Sequence, residues 1–327
     1  MTVKMHDYPT LQDIREARER LKPHIRHTPL LRAEKIEPAV GCQLYLKPET
    51  LQITGAFKIR GALNKALSLP REQIANGLIA TSSGNHAQGI AYAARMLGVK
   101  AIIVVPVTTP RIKIENTQAL GAEVILFDGD TAARWKRVCE IAEENQYAAI
   151  HGFEDPLVMA GQGTIGCEIL EDLEDVDTVI VPLGGGGLLS GIATAIKEIK
   201  PSVRVIGAEP ALTPKYYQSR INKERTSLPL KNTIADGVRI SVPGQNPFPI
   251  IEKYVDEIVL VEDEHIIAGM RVLAKDAKLI AEPAASIGIG ALLAGAVKVR
   301  PDEKVCAVLS GGNWNLSDLA EIYKDAE

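Results

Sequence analysis

The chain has 327 residues, 46% of them hydrophobic, and a formal net charge of −4. That length can bury a large core and build two lobes, while the near balance of charge excludes a basic nucleic-acid-binding surface. The polar start MTVKMHDYPTLQDIREARER is not a secretory signal, no apolar run is long enough to span a bilayer, and Cys42, Cys139, Cys167 and Cys306 form no CxxC pair, so a cytoplasmic protein with reduced thiols and no zinc site is expected.

In chain order, a helix is predicted after Thr10, which can cap it with Asp13 in the first turn. The segment TGAFKIRGA, residues 54–62, follows and sets Lys58 among small residues, next to Phe57, at the start of a helix-like run. A Schiff-base lysine needs a pocket that lowers its pKa, glycine for close approach of a cofactor and an apolar ring to pack on. A solvated helix lysine remains the alternative from this segment alone. LIATSSGNHAQGIAYAARMLG predicts a strand, a small-residue turn and a helix from about Ala87. The amides and hydroxyls of Ser82, Ser83, Asn85 and His86 then face whatever lies beyond the strand end, where unpaired helix N–H groups and the helix dipole hold anions.

KAIIVVP and AEVILFD predict two further strands, and helices are expected after Thr109, Asp155 and Asp263, each residue a candidate cap. TVIVPLGGGGLLSGIATAIKEIK repeats the strand–turn–helix pattern, with Gly184, Gly185, Gly186 and Gly187 free to curl around a phosphate. No glycine precedes a lysine, which excludes a Walker loop, and the spacing does not fit GxGxxG. The alternative is that the glycines serve tight helix-on-sheet packing, which would account for one or two of them but not four in a row. VRVIGAE, EIVLVED and VCAVLS complete the strands, and residues 220–249, rich in Pro, Asn and Gly, read as a long connection or a loop over the site. Alternation of strands and helices predicts an α/β fold with mainly parallel sheets and ligand at the carboxyl ends of strands.

TGAFKIRGA, SSGNHAQG, VPLGGGGL, ADGV at residues 235–238 and LSGGN at residues 309–313 together resemble the fold type II pyridoxal phosphate enzymes, within them the serine/threonine dehydratase and serine racemase family, over nearly the whole chain. The resemblance implies a two-lobed tryptophan synthase β-like fold, with residues 75–150 as a small domain inserted in a large domain of residues 1–74 and 151–327. It implies that Lys58 holds pyridoxal phosphate and later removes the α proton, that Phe57 packs on the cofactor, that Asn85 bonds its phenolic oxygen, that Gly184, Gly185, Gly186 and Gly187 bind its phosphate, and that Ser310 faces the ring nitrogen. Ser82, Ser83, Asn85 and His86 would bind the substrate; His86 is read as orienting its loop in preference to acid/base work. Ser83 stands where racemases of the family carry their second base. A neutral hydroxyl at Ser310 favours elimination over a persistent carbanion. The implied activity is dehydration of L-threonine or L-serine to a 2-keto acid and ammonia, by a cytoplasmic homodimer or homotetramer acting on a small amino acid, without nucleic-acid or membrane partners. Another 3-hydroxy amino acid such as 3-hydroxyaspartate or phenylserine, serine racemisation, and a non-catalytic sensor binding pyridoxal phosphate or an amino acid are the alternatives.

Three departures from the family bear on these expectations. Relatives bind a divalent cation through a glutamate and an aspartate six residues on, whereas here Glu209 is followed by Lys215, so no metal is expected; the Lys215 ammonium either takes the cation's place or is a solvated surface lysine. HGFEDP at residues 151–156 carries Phe153 where animal-type serine racemases have a polar residue, and EPAAS at residues 282–286 differs from the usual EPTG or EPSG. The chain ends soon after SGGN, so no regulatory domain is expected.

Overall fold

The structure, a computed structural model, describes residues 8–109 and 111–324. Its strands are β1 (Leu31–Arg32), β2 (Gln43–Pro48), β3 (Leu78–Thr81), β4 (Ala101–Pro106), β5 (Glu123–Phe127), β6 (Ala148–Ala149), β7 (Thr178–Pro182), β8 (Arg204–Pro210), β9 (Glu257–Val261) and β10 (Lys304–Leu309). They form a larger sheet in the order β1-β2-β10-β7-β8-β9, parallel apart from the β1–β2 pair, and a smaller, wholly parallel sheet in the order β5-β4-β3-β6. This is the mixed α/β architecture that the alternation predicts.

The inner strands are buried on both faces, which is why they read as apolar runs without polar alternation, while the edge strand β5 is only partly covered and leaves Leu126 exposed. On β10, Val305, Ala307 and Leu309 enter one core with the helix Pro283–Leu293, while Cys306 and Val308 enter the other with the helices Pro156–Asp172 and Gly187–Ile199. In the smaller sheet Leu78 and Ala80 pack on the helices Lys58–Ser68 and Asn85–Leu97, and Ile79 packs on Val138 and Ile141 of the helix Thr131–Asn145. No helix among the described residues is long and apolar enough to cross a membrane. All four cysteines are free thiols.

All predicted strands are present, but β2 escapes a hydrophobicity reading because Lys47 interrupts it. That lysine is fully buried, donating to the Thr28 carbonyl at 2.6 Å and pairing with Glu168 at 2.8 Å. At two residues each, β1 and β6 leave no pattern to read. Thr10 forms the expected capping box with Asp13, and the Asp155 carboxylate accepts from the Leu157 and Val158 amides. Asp263 does not cap: Glu262 holds the cap position, and the Asp263 carboxylate instead accepts from the Thr233 hydroxyl and the Ile234 amide, tying down the long connection. Thr109 does not cap the helix Arg111–Ala119: residue 110, outside the described residues, stands between them, and the buried Thr109 hydroxyl has no hydrogen-bond partner among the described residues.

The helix Lys58–Ser68 is held rigidly at its first turn. Arg60, fully buried, binds Glu49 through Nε at 2.7 Å and Glu168 through Nη1 at 2.6 Å. Gly161 lets the helix Pro156–Asp172 approach so closely that a Cβ there would lie 2.5 Å from the Arg60 carbonyl. Buried, fully paired charges of this kind resist rearrangement, since removing one partner strands the others without water.

Candidate active site

Two segments far apart in sequence are joined at the carboxyl end of β10. Ala56 bridges Gly311, the Phe57 amide donates to the Ser310 carbonyl at 3.0 Å, the Gly312 amide to the Gly55 carbonyl at 2.9 Å, and Asn313 Nδ2 to the Thr54 carbonyl at 2.8 Å. Gly55 has φ +69°, and a Cβ there would meet Asn313 Oδ1 at 2.5 Å, so only glycine fits this junction. TGAFK and SGGN thus form one surface, from which the helix begins with Lys58 as its first residue. The Lys58 amine donates to the Gly152 carbonyl at 2.8 Å and lies 5.1 Å from the centroid of the Phe57 ring, itself buried in the core of the larger sheet. Burial lowers the pKa of Lys58 to about 8, with the Glu282 carboxylate acting in the opposite sense. Half-buried and hydrogen-bonded to Gly152, Lys58 is not a freely solvated helix lysine.

The turn SSGNH follows β3. Its helix starts at Asn85, two residues earlier than the sequence suggests, which places Asn85 and His86 in the first helical turn. The Gly84 amide donates to Ser82 Oγ at 3.1 Å, and Ser83 is half-buried at the same turn. Asn85 Nδ2 donates to Glu282 Oε1 at 2.8 Å, and its Oδ1 accepts from Asn313 Nδ2 at 2.9 Å. His86 is buried with Nε2 3.0 Å from the Ile150 carbonyl; burial, then the Lys58 charge, pushes its pKa down to about 3. It is neutral at physiological pH, in keeping with the orienting role.

The glycine loop joins β7 to the 13-residue helix Gly187–Ile199. A Cβ at Gly184 would lie 3.2 Å from Val238, at Gly185 2.5 Å from the Phe153 ring and at Gly187 2.9 Å from Phe153; at Gly186, where φ is +99°, it would strike the Tyr216 hydroxyl. Packing thus accounts for all four glycines, contrary to the expectation that it would explain only one or two. The same contacts leave the loop without side chains and with backbone N–H groups at a helix start, a cradle that fits a phosphate. Tyr216 braces it from behind, its hydroxyl donating to the Gly185 carbonyl at 2.9 Å and accepting from the Gly244 amide at 3.2 Å. Beside it, Lys215 Nζ donates to Glu209 Oε2 at 2.9 Å and to the Leu183 carbonyl at 3.0 Å, with both side chains fully buried. Burial pulls the Lys215 pKa below its ordinary value, opposed by Glu209. Lys215 is not a surface lysine. Val238, within residues 220–249, lies on Gly184, so this segment borders the site.

Sequence reasoning missed Glu282, Tyr216 and His151. Glu282 is buried next to Asn85 and Gly311, and burial, reinforced by Asp236, pushes its pKa up to about 7. Its only signal was an acidic residue ahead of a proline at a helix start. His151 stacks edge-on between Trp135 and Phe153 at centroid distances of 4.4 and 4.6 Å, and its Nδ1 accepts from the Phe153 and Glu154 amides. Burial lowers its pKa to about 4, so it is a neutral prop of the loop that packs on the glycines.

An amine of lowered pKa at the Gly152 carbonyl, a side-chain-free anion cradle packed on the adjoining Phe153 and a polar turn whose His86 borders Gly152 suit a phosphate-bearing aldehyde cofactor, and comparison with known proteins agrees. The profile of the family described as "Pyridoxal-phosphate dependent enzyme" matches residues 21–311. The chain is 44% identical over 311 residues to the L-threonine ammonia-lyase of Geobacter sulfurreducens, covering 95% of this chain and 77% of that protein, and 41% identical over 327 residues to the catabolic L-threonine dehydratase of Staphylococcus aureus, covering 99% and 94%. Maize serine racemase superposes with a TM-score of 0.92 at 37% identity over 97% of each chain. With the family profile spanning residues 21–311 and these relatives covered over nearly the whole chain, the chain belongs to the pyridoxal-phosphate dependent enzymes of fold type II.

Proposed function

We propose that the chain is an ammonia-lyase that converts L-threonine or L-serine to a 2-keto acid and ammonia by α,β-elimination. The observation that carries this reading is the Lys58 amine, held at the Gly152 carbonyl beside the TGAFK–SGGN junction, with His86 of SSGNH against Gly152, the glycine loop packed on the adjoining Phe153, and burial bringing the amine to a pKa of about 8. The names of the relatives, L-threonine ammonia-lyase and L-threonine dehydratase, support the substrate. Residues 75–150 would form the smaller lobe and the substrate would lie between the two sheets.

Pyridoxal phosphate, which Lys58, Asn85, Ser310 and the amides of Gly184, Gly185, Gly186 and Gly187 would hold, would supply an electron sink for the pair left at the substrate Cα. The chain's own groups do the rest. The uncharged Lys58 amine takes the Cα proton, which a pKa near the working pH favours. The Cα pair then forms the Cα–Cβ double bond as the Cβ–O bond breaks with its electron pair, and the oxygen leaves as water with the proton that Lys58 took up. Addition of water to the released enamine acid gives the 2-keto acid and ammonia. The amides and hydroxyls of Ser82, Ser83 and Asn85 would hold the substrate carboxylate, with His86 fixing that turn against the Ile150 carbonyl. Ser310 would offer the ring nitrogen an uncharged hydroxyl in place of a carboxylate, an arrangement that favours loss of the leaving group over persistence of charge at Cα.

A keto-acid assay over a panel of 3-hydroxy amino acids tests this reading. Threonine and serine are expected to turn over fastest; 3-hydroxyaspartate or phenylserine in first place would change the substrate, and no keto acid from any of them would leave a binding protein. Side racemisation of serine is also expected, because the family resemblance assigns Ser83 the place of the racemases' second base and maize serine racemase shares the fold. Ser83→Ala should lower D-serine formation by about tenfold or more relative to elimination. Equal loss of both would return Ser83 to carboxylate binding.

A further inference from the structure

Asn85 carries a donor at one end of its amide and an acceptor at the other, and either could face a ligand unless its neighbours decide. Here the decision starts from a backbone carbonyl. The Thr54 oxygen can only accept, so the Asn313 amide turns its Nδ2 toward it at 2.8 Å and presents Nδ2 also to Asn85 Oδ1 at 2.9 Å. Asn85 Nδ2 is then left facing Glu282 Oε1 at 2.8 Å. Each link has one sense, and the last holds whether the Glu282 carboxyl is charged or neutral, since either form leaves an oxygen able to accept.

We propose that Glu282 is a positioning residue of the cofactor site: with Asn313 it locks the Asn85 amide so that one Nδ2–H is bound to Glu282 and the other stays available to the cofactor's phenolic oxygen. The proposal rests on the reading in which Asn85 meets that oxygen. Gly311 is shaped for the lock, since a Cβ there would lie 2.9 Å from Glu282 Oε1 and 3.1 Å from Asn85 Nδ2, separating the pair. The backbone fixes the carboxyl as well: the Glu282 amide donates to the Gly311 carbonyl at 3.0 Å, and Pro283 opens the helix that follows. The groups around the carboxyl are Asp236 from the turn Asp236–Val238, Lys113 from the helix Arg111–Ala119, and Lys58. Asp236 repels its charge and the two lysines attract it, but Asn85 is the one hydrogen-bond partner of its side chain among the described residues. A carboxyl with its pKa raised by burial is unfavourable to the fold at neutral pH, and holding Asn85 gives it a function there.

The test uses holoenzyme and reads the absorption band and dissociation constant of the bound cofactor. Glu282→Gln keeps an accepting oxygen and should leave the band in place and affinity within about threefold, whereas Glu282→Leu should weaken cofactor binding by about tenfold and shift the band. Asn313→Ala, at an exposed position that does not threaten the core, should shift the band in the same direction. The two losses should fall short of additive in the double variant, because either alone frees the amide. Unchanged binding in Asn313→Ala, additive effects, or Glu282→Gln as damaged as Glu282→Leu would overturn the lock while the unmodified protein still shows the band. An unmodified protein without any band would overturn the cofactor reading of Asn85 and the lock together.

Discussion

Lys58→Ala is expected to purify without the yellow colour of bound cofactor and to lose elimination activity by about 10³-fold or more, since one side chain serves both as cofactor anchor and as proton acceptor. Loss of folding is not the cause expected. The folded-state pKa of Lys58 is about 8 against an ordinary 10.5, so the cofactor-free fold binds this proton less well than the unfolded chain does. Stability therefore rises with pH between about 8 and 10.5 on account of this group, and below pH 8 the buried ammonium is a burden that alanine removes. Cofactor-free Lys58→Ala should melt no lower than the cofactor-free parent at pH 7, and the difference between the two should shrink as the pH approaches 10. A yellow, active Lys58→Ala protein would remove Lys58 from its assigned role.

The parts of this site that were legible in the sequence are those written as local runs. A strand followed by small residues and a helix fixes its own geometry, so SSGNH, GGGG and the end of β10 could each be placed at a strand's carboxyl end before their contacts were known. Lys58 was legible because glycine and phenylalanine flank it in the chain. What was not legible depends on residues meeting from far apart. Glu282 gains its raised pKa from burial against Asn85 and Gly311, none of which is near it in sequence except through the fold. Lys47 breaks the pattern of β2 because its partner, Glu168, belongs to a helix that sequence order places much later. Sequence also overstated the glycine run, whose four members each have a packing partner in Val238, Phe153 or Tyr216. The run identifies a cradle only in company with the lysine and the family.

Lys215→Met is expected to destabilise the protein by about 3–5 kcal/mol, the usual penalty for removing one partner of a buried ion pair. Glu209 would keep only the Tyr216 and Tyr217 amides, at 3.3 and 2.7 Å, as donors to a charge with no access to water. The loss should extend to the cofactor, because Lys215 also holds the Leu183 carbonyl and Tyr216, the next residue, holds that of Gly185, the two carbonyls flanking Gly184. Where the family resemblance implies a divalent ion beside Glu209, this chain has a cation attached to its own backbone, already bound to the carboxylate and to the loop. A tethered cation cannot be chelated, so EDTA should leave the activity of the unmodified enzyme unchanged. Lys215→Asp sets two carboxylates against each other in a dry site, where like charges cannot both persist without a counter-ion. That variant should be weakly active after EDTA and recover activity and melting temperature on addition of magnesium. Strong inactivation of the unmodified protein by EDTA, reversed by magnesium, would mean that Lys215 does not replace the ion and that the cation's ligands lie elsewhere.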